Sequence, residues 1–330
     1  MSTAAGVKPA ADGLIALFGH DPATYVPHPV HAGDRTYHET DCYTDILIEL
    51  VHARGDEPLA VLGSLVRLDF EGDQWTFFKP DPRDLEDLLG IDIHEMQPWR
   101  PLPDQIAELL ETGRTMTIEL DAWFLPDTAA TSYRREHVKT SVIPEAIDRA
   151  AETLRYYHNA SLYELAGEDY RGVFRLDAPR GSEVLPPYTE LVRFDAGPRL
   201  AGDALRGAAL DALRHHLARI PADDPFARFG DRLEADLPGL LDGDEAAYHA
   251  YAFATVRMAG AGFELLAAQV AWLLGDHASP VTTPLARVVE GSKTLGFKLA
   301  RRRPFDPRPM TDAMGADRDE ALAALRAAVG

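Results

Sequence analysis

Cysteine is nearly absent: the 330 residues contain one, Cys42. A single thiol excludes an internal disulfide, and a reducing cytoplasm is the compartment expected for such a chain. Paired Cys-x-x-Cys metal elements are excluded with it. Long apolar runs are also lacking. None approaches the roughly 20 residues that cross a bilayer, so no membrane partner is expected. Residues 1–12 carry one lysine and no apolar stretch, and read as a disordered tail, not a signal peptide. Positive charge is scarce, with 33 Lys and Arg against 53 Asp and Glu, a formal net charge of −20. Such a field repels nucleic acid and anionic surfaces over most of the molecule. Missing too are Gly-x-x-x-x-Gly-Lys-Ser/Thr, Gly-x-Gly-x-x-Gly and Gly-x-Ser-x-Gly. Nucleotide, dinucleotide and serine-hydrolase chemistry therefore have no motif behind them, and no bound cofactor is expected.

What is present is the composition of a globular protein, 46% hydrophobic and 26% charged. Residues 13–40 are punctuated by proline and glycine and read as loops. Helical spacing of Tyr43, Ile46, Leu47, Leu50 and Val51 predicts a helix that Thr40 or Asp41 caps and Gly55 ends. Residues 59–70 and 74–78 read as strands joined by a turn at 71–73. Short helices are expected at 84–89 and 103–112, and strands at 116–120, 137–143, 153–157 and 163–165. Residues 178–187 have linker composition. Beyond them, helices are expected at 204–220, 231–241, 245–274, 284–302 and 318–329. The resulting expectation is an α+β chain with a tail at 1–12, a catalytic domain at 13–180 and a helical C-terminal region at 181–330.

Cys42 would open its helix, where free N–H groups and partial positive charge favour a thiolate. A buried structural cysteine is the plainer alternative. A cysteine nucleophile needs a base and a group that orients the base. His137 begins one strand candidate and His158-Asn159 ends the next. A helix-borne cysteine, a strand-borne histidine and an Asn on the neighbouring strand follow the papain-like order. In that order His137 takes the thiol proton, Asn159 orients the ring and the Cys42 N–H serves half an oxyanion hole. Asp121 is the reserve orienter, or a group that positions an acceptor amine. Plainer roles stay open: His137 as a surface histidine, Asn159 as a turn residue, Asp121 as a cap, and Glu264 as a helix-face charge or a cleft residue.

Residues 35–178 carry a resemblance. Cys42, then Asp121-Ala-Trp-Phe-Leu-Pro126, then His137 and a strand pair resemble the papain-like domain of butirosin-biosynthesis acyltransferases. Across most of its length the chain also resembles the bacterial domain-of-unknown-function 1839 family, through Asp-Cys-Tyr at 41–43, Phe-Phe-Lys-Pro at 77–80, 84–91 and 120–127. The resemblance implies a papain-like cysteine-peptidase or acyltransferase core and acyl transfer through a thioester. The donor would be the phosphopantetheine arm of an acyl or aminoacyl carrier protein, and the acceptor a small amine or alcohol. The sequence departs from the pattern in the Val-Lys-Thr-Ser that follows His137 and in Asn159, where many relatives have Asp.

One stretch runs against the acidic background. Residues 292–308 hold six basic groups and one acidic one. Lys293, Lys298, Arg301 and Arg302 are the candidate docking residues for an acidic carrier protein. Cations at a helix C-terminus are favourable without any partner, so that reading stays beside it. His20, His28, His31 and His38 precede Asp41 and Cys42, but no dense His-x-x-x-His element accompanies them, and no metal is expected.

Overall fold

The computed structural model describes residues 13–32, 35–37, 40–177 and 184–330, so the tail at 1–12, His38 and part of the 178–187 linker lie outside the described residues. In chain order the strands are β1 (Ile15–Ala16), β2 (Phe70–Glu71), β3 (Gln74–Trp75), β4 (Asp92–Met96), β5 (Thr115–Asp121), β6 (Lys139–Asp148), β7 (Thr153–His158), β8 (Ser161–Ala166) and β9 (Thr189–Arg193). The helices are α1 (Cys42–Ala53), α2 (Pro82–Leu89), α3 (Leu102–Glu111), α4 (Glu168–Val173), α5 (Gly202–Leu217), α6 (Pro225–Asp242), α7 (Glu245–Ala252), α8 (Met258–Leu274), α9 (Ser279–Ala300) and α10 (Arg308–Val329). The chain is thus α+β, with strands and short helices first and long helices last.

Two compact units form, interleaved along the chain. The first holds residues 13–28, 42–57 and 85–199. Its sheet is antiparallel throughout, in the order β4-β9-β5-β6-β7-β8, with β1 added along β6. Because successive strand residues alternate between faces, Met116, Ile118 and Leu120 of β5 enter one apolar core. Ile106 and Leu110 of α3 and Tyr170 of α4 complete that core. Thr117, Glu119 and Asp121 point to the other face, and α1 packs on that side against β6 and β7. Val142, Leu154 and Tyr156 sit on the α3 side with the first set, all fully buried.

Polar groups are buried on the α1 side, each with its donors. Glu145 is inaccessible to water. Its Oε1 accepts the N–H groups of Phe18, Gly19 and His20 at 3.1, 2.7 and 3.0 Å, and its Oε2 accepts the Tyr157 hydroxyl at 3.1 Å. Loss of water pushes the Glu145 carboxyl up, and the three N–H groups oppose that shift in part. Gly90 ends α2 at φ +64° and passes so close to Gly197 that a Cβ would meet the Gly197 carbonyl oxygen at 2.6 Å. Only glycine serves both needs there.

The second unit holds residues 29–41, 58–84 and 200–330. An aromatic cluster of Phe70, Trp75, Phe226, Phe229 and Phe263 ties the β2–β3 hairpin to α6 and α8, with Trp75 and Phe226 centred 4.8 Å apart. Asp224 and Asp244 cap α6 and α7 through the N–H groups of Phe226 and Ala247. From Glu245 to His277 the helix is continuous through a π-turn at Phe253–Arg257. At 33 residues it is long and apolar enough to cross a bilayer, contrary to the expectation of no such run, yet its apolar stretch is mostly buried inside this unit. Core helices have the same composition.

Several expectations are corrected. Residues 59–70 form 3-10 turns at Pro58–Val61 and Gly63–Arg67, not a strand. Apart from Ser64 and Arg67 the segment is buried, so its apolar run carries no periodicity to separate helix from strand. The turn at 71–73 does join a hairpin, Phe70 opposite Trp75, with Gly72 at φ +65°. Strands β1, β4 and β9 have no counterpart in the sequence reading. Strand β9 lies beyond residue 180, within the stretch read as helical, and it pairs between β4 and β5, one strand in from the sheet edge.

Candidate functional site

The α1 helix begins at Cys42, whose thiol is free and half-buried. Tyr43 anchors this end. Its hydroxyl donates to Glu190 Oε2 at 2.7 Å, which also accepts from Thr117 Oγ1 at 2.9 Å, while Tyr188 donates to Glu190 Oε1 at 2.9 Å. The first turn of α1 is thereby registered on β5 and β9.

Strand β5 delivers Asp121 to the end of the sheet, where one carboxylate does two jobs. Its Oδ1 accepts the N–H of Trp123 at 3.1 Å, capping the 3-10 turn Ala122–Phe124. Its Oδ2 lies 2.7 Å from His137 Nδ1. The chain leaves β5 through that turn and a second at Pro126–Thr128. It returns at His137, where the Ala122 N–H donates to the Val138 carbonyl at 2.8 Å. Trp123 stacks on the imidazole, with ring centroids 4.6 Å apart and planes 11° from parallel. A carboxylate can only accept, so Nδ1 carries the proton and Nε2 of the neutral ring is an acceptor.

The loop between Asp121 and His137 is held from the opposite sheet face. Asp127 accepts from the Tyr156 hydroxyl and pairs with His158 Nδ1, while His158 Nε2 meets Thr140 Oγ1 at 2.8 Å. His158 is almost wholly buried. Loss of water, reinforced by Asp127, pushes the Tyr156 hydroxyl far above its usual range. His158 is therefore committed to holding the loop.

Of the residues expected at the site, His137 and Asp121 are brought together. Asn159 is not. It forms the β7–β8 turn at φ +46°. Continuing the register of Val142 with His158 sets Asn159 opposite Ser141. That is four residues from His137, about 13 Å along the strand at ~3.3 Å per residue. Among the described residues no hydrogen bond joins Cys42 to His137. Both belong to the first unit, and the Tyr43 anchor at Thr117 shares a strand face with Asp121 four residues on.

Glu264 clamps a segment of its own unit, accepting the N–H groups of Thr36 and Tyr37 at 2.6 and 3.0 Å, with Arg35 Nε at 3.5 Å. Lys293, Lys298, Arg301 and Arg302 are exposed at the end of α9. Lys293 lies 3.6 Å from Glu290, and Lys298 sits over the Phe305 ring. The early histidines are engaged separately. His20 Nε2 is 2.9 Å from the Ala53 carbonyl, His28 lies 3.5 Å from Glu57, and His31 is buried in the other unit. Among the described residues no group of three His, Cys, Asp or Glu converges as metal ligands would.

Beside the His137–Asp121 pair lies an open cavity of about 440 Å³. Its lining includes Glu119, Lys139, Arg175, Leu185 and Tyr188, but not Cys42. Lys139 Nζ is 2.6 Å from Glu119 Oε1. Trp123, Arg175 and Tyr188 escaped the sequence reading. Trp123 stood in the 120–127 motif, but its stacking depends on a loop that closes fourteen residues later. Arg175 and Tyr188 flank a linker and carry no local signal.

Comparison with known families accounts for nearly the whole chain. The profile of the DUF1839 N-terminal domain matches residues 26–194, and that of the DUF1839 C-terminal domain matches residues 202–327. No curated protein matches the chain.

Proposed function

The chain belongs to the DUF1839 family, and from that premise we propose a cysteine-dependent acyltransferase with a papain-like core. It moves an acyl or aminoacyl group from the phosphopantetheine thioester of a carrier protein to an amine or hydroxyl acceptor. The observation that carries this reading is the His137–Asp121 bond, which leaves Nε2 as a base beside a cavity. In support, α1 presents Cys42 at its N-terminus and covers the sheet face to which Asp121 points. The likeness to butirosin-biosynthesis acyltransferases is part of the proposal.

In the first half-reaction the Cys42 thiolate attacks the thioester carbonyl. A bond forms from Sγ to the acyl carbon, the bond to the pantetheine sulfur breaks, and the released thiolate takes the proton that His137 held. Exchange of one thiolate for another is nearly isoenergetic. In the second half the acceptor attacks acyl-Cys42, His137 Nε2 removes its proton, and that proton returns to the departing Cys42 sulfur. Asp121 keeps Nδ1 protonated and stabilises the imidazolium between steps. Water in place of the acceptor makes the same groups a thioester or amide hydrolase. The exposed cations of α9 are the proposed docking site for the carrier.

One observation favours a second reading, a non-catalytic protein that binds a carrier or its ligase: Cys42 and His137 are not hydrogen-bonded. Incubation with an acyl-loaded carrier protein, followed by intact mass, separates the two. An acyl adduct on the wild type that disappears in Cys42→Ala supports acyl transfer. No adduct under several acyl loads, or one that survives Cys42→Ala, leaves the binding reading.

A further inference from the structure

The cavity beside His137 has a wall whose composition specifies a ligand. Two of its charges are spent internally, Lys139 on Glu119 and Asp121 on His137. Arg175 also lines it, exposed, and among the described residues no hydrogen bond or ion pair engages its guanidinium. The wall thus holds two carboxylates and two cations, and Arg175 is the charge left without a partner among the described residues, on a protein whose overall charge is −20. The rest of the lining is apolar and wet. Val138, Leu185 and Tyr188 remain 43%, 84% and 40% exposed, beside Pro186 and Pro187. Large apolar side chains gathered in water around one hollow mark a binding surface more often than chance exposure. The Tyr188 hydroxyl is committed to Glu190, so the face of its ring is what it offers a ligand. A volume of about 440 Å³ is that of a small-molecule site.

We propose that this cavity binds a small molecule with an apolar body and one anionic group, a carboxylate or a phosphate. Arg175 holds the anion, and Val138, Leu185 and Tyr188 cover the body. A guanidinium fork suits either anion, since both present paired oxygens. In placing a substrate of acyl transfer there, the inference rests on the reading above. The binding itself does not depend on it and is measured without turnover.

The test titrates the full chain with octanoate, octyl phosphate and the neutral octanamide, following affinity by calorimetry and the His137 side-chain resonances by NMR. Both anions are expected to bind at least about tenfold more tightly than octanamide and to move the His137 resonances. The stronger of the two identifies the anion. Arg175→Gln abolishes the preference, Arg175→Lys restores part of it, and Arg326→Gln, an exposed charge in the other unit, leaves it intact. The proposal is overturned by equal affinity for octanoate and octanamide, by a preference that persists in Arg175→Gln, by His137 resonances that do not move, or by no binding up to about 10 mM. Octanoate binding, together with no acyl adduct on Cys42 from any loaded carrier protein, would remove the transferase reading and leave this site standing.

Discussion

Asp121 holds two neighbours at once, because its two oxygens face different partners. One fixes the backbone of Trp123, and the other fixes the tautomer of His137. Trp123 then covers the ring it has been positioned against, so cap, stack and hydrogen bond support each other. Aromatic pairs of this kind contribute about 0.5–1.5 kcal/mol beyond burial. Asp121→Asn preserves size and an oxygen for the Trp123 cap but removes the charge that holds Nδ1–H. Under the proposed chemistry, acyl transfer measured by single-turnover mass spectrometry falls by about 10²–10⁴-fold. The urea midpoint stays close to wild type, since the side chain is near the surface and keeps its cap. Unchanged transfer would remove Asp121 and its bond to His137 from the mechanism. Asn159 illustrates the limit of reading residues in order: it follows the papain-like sequence of types but occupies a left-handed turn position that asparagine tolerates on its own account.

At the scale of elements, the parts legible in the sequence are those whose pattern is local. The strands β6, β7 and β8 form a meander, and their short runs of apolar, β-branched and aromatic residues are visible without knowing what they pair with. The α1, α3 and α8 helices are marked by apolar spacing and a closing glycine. Strands β4 and β9 were not legible. Asp92-Ile-His-Glu-Met96 and Thr189-Glu-Leu-Val-Arg193 are short and charged, and they pair across about a hundred residues, Asp92 opposite Arg193. Their hydrogen bonds are a property of the folded sheet, so nothing local announces them. The role of Glu145 in β6 was equally hidden, because its partners are N–H groups of residues 18–20. Its carboxyl is raised above 4.5 by burial, so the folded chain holds that proton more tightly than the unfolded one. The contribution of such a group is complete below the unfolded value and is lost as pH rises through the folded one. Glu145→Gln removes the titration while keeping an oxygen for the three N–H groups. Urea unfolding of both proteins between pH 4.5 and about 8 is expected to show the variant gaining on the wild type as pH rises. A gap that is constant with pH, or one that moves in favour of the wild type, contradicts this account of Glu145.

The whole molecule is strongly acidic, and its cations are used unevenly. Most arginines of the first unit are spent in ion pairs such as Arg193–Asp92 and Arg155–Glu164. At the end of α9, by contrast, Lys298, Arg301 and Arg302 stand exposed around Phe297, which is itself 60% exposed. An acidic carrier protein approaching a chain of charge −20 is repelled over most of its surface, so an attractive patch of this kind governs where productive encounters occur. The same cations also complement the carbonyl end of the α9 dipole, which predicts a stability effect instead of a binding one. The triple change Lys298→Glu, Arg301→Glu and Arg302→Glu distinguishes the two. If the patch docks the carrier, stopped-flow association with it slows by at least about tenfold at low salt, dissociation changes little, and the difference shrinks toward ~0.5 M salt as the charges are screened. If the cations only complete a helix end, the association rate is unaltered and the loss appears in the unfolding midpoint alone. Rate and stability are read on the same protein, so the two roles leave different signatures, and a rate insensitive to both the substitutions and salt excludes docking at α9.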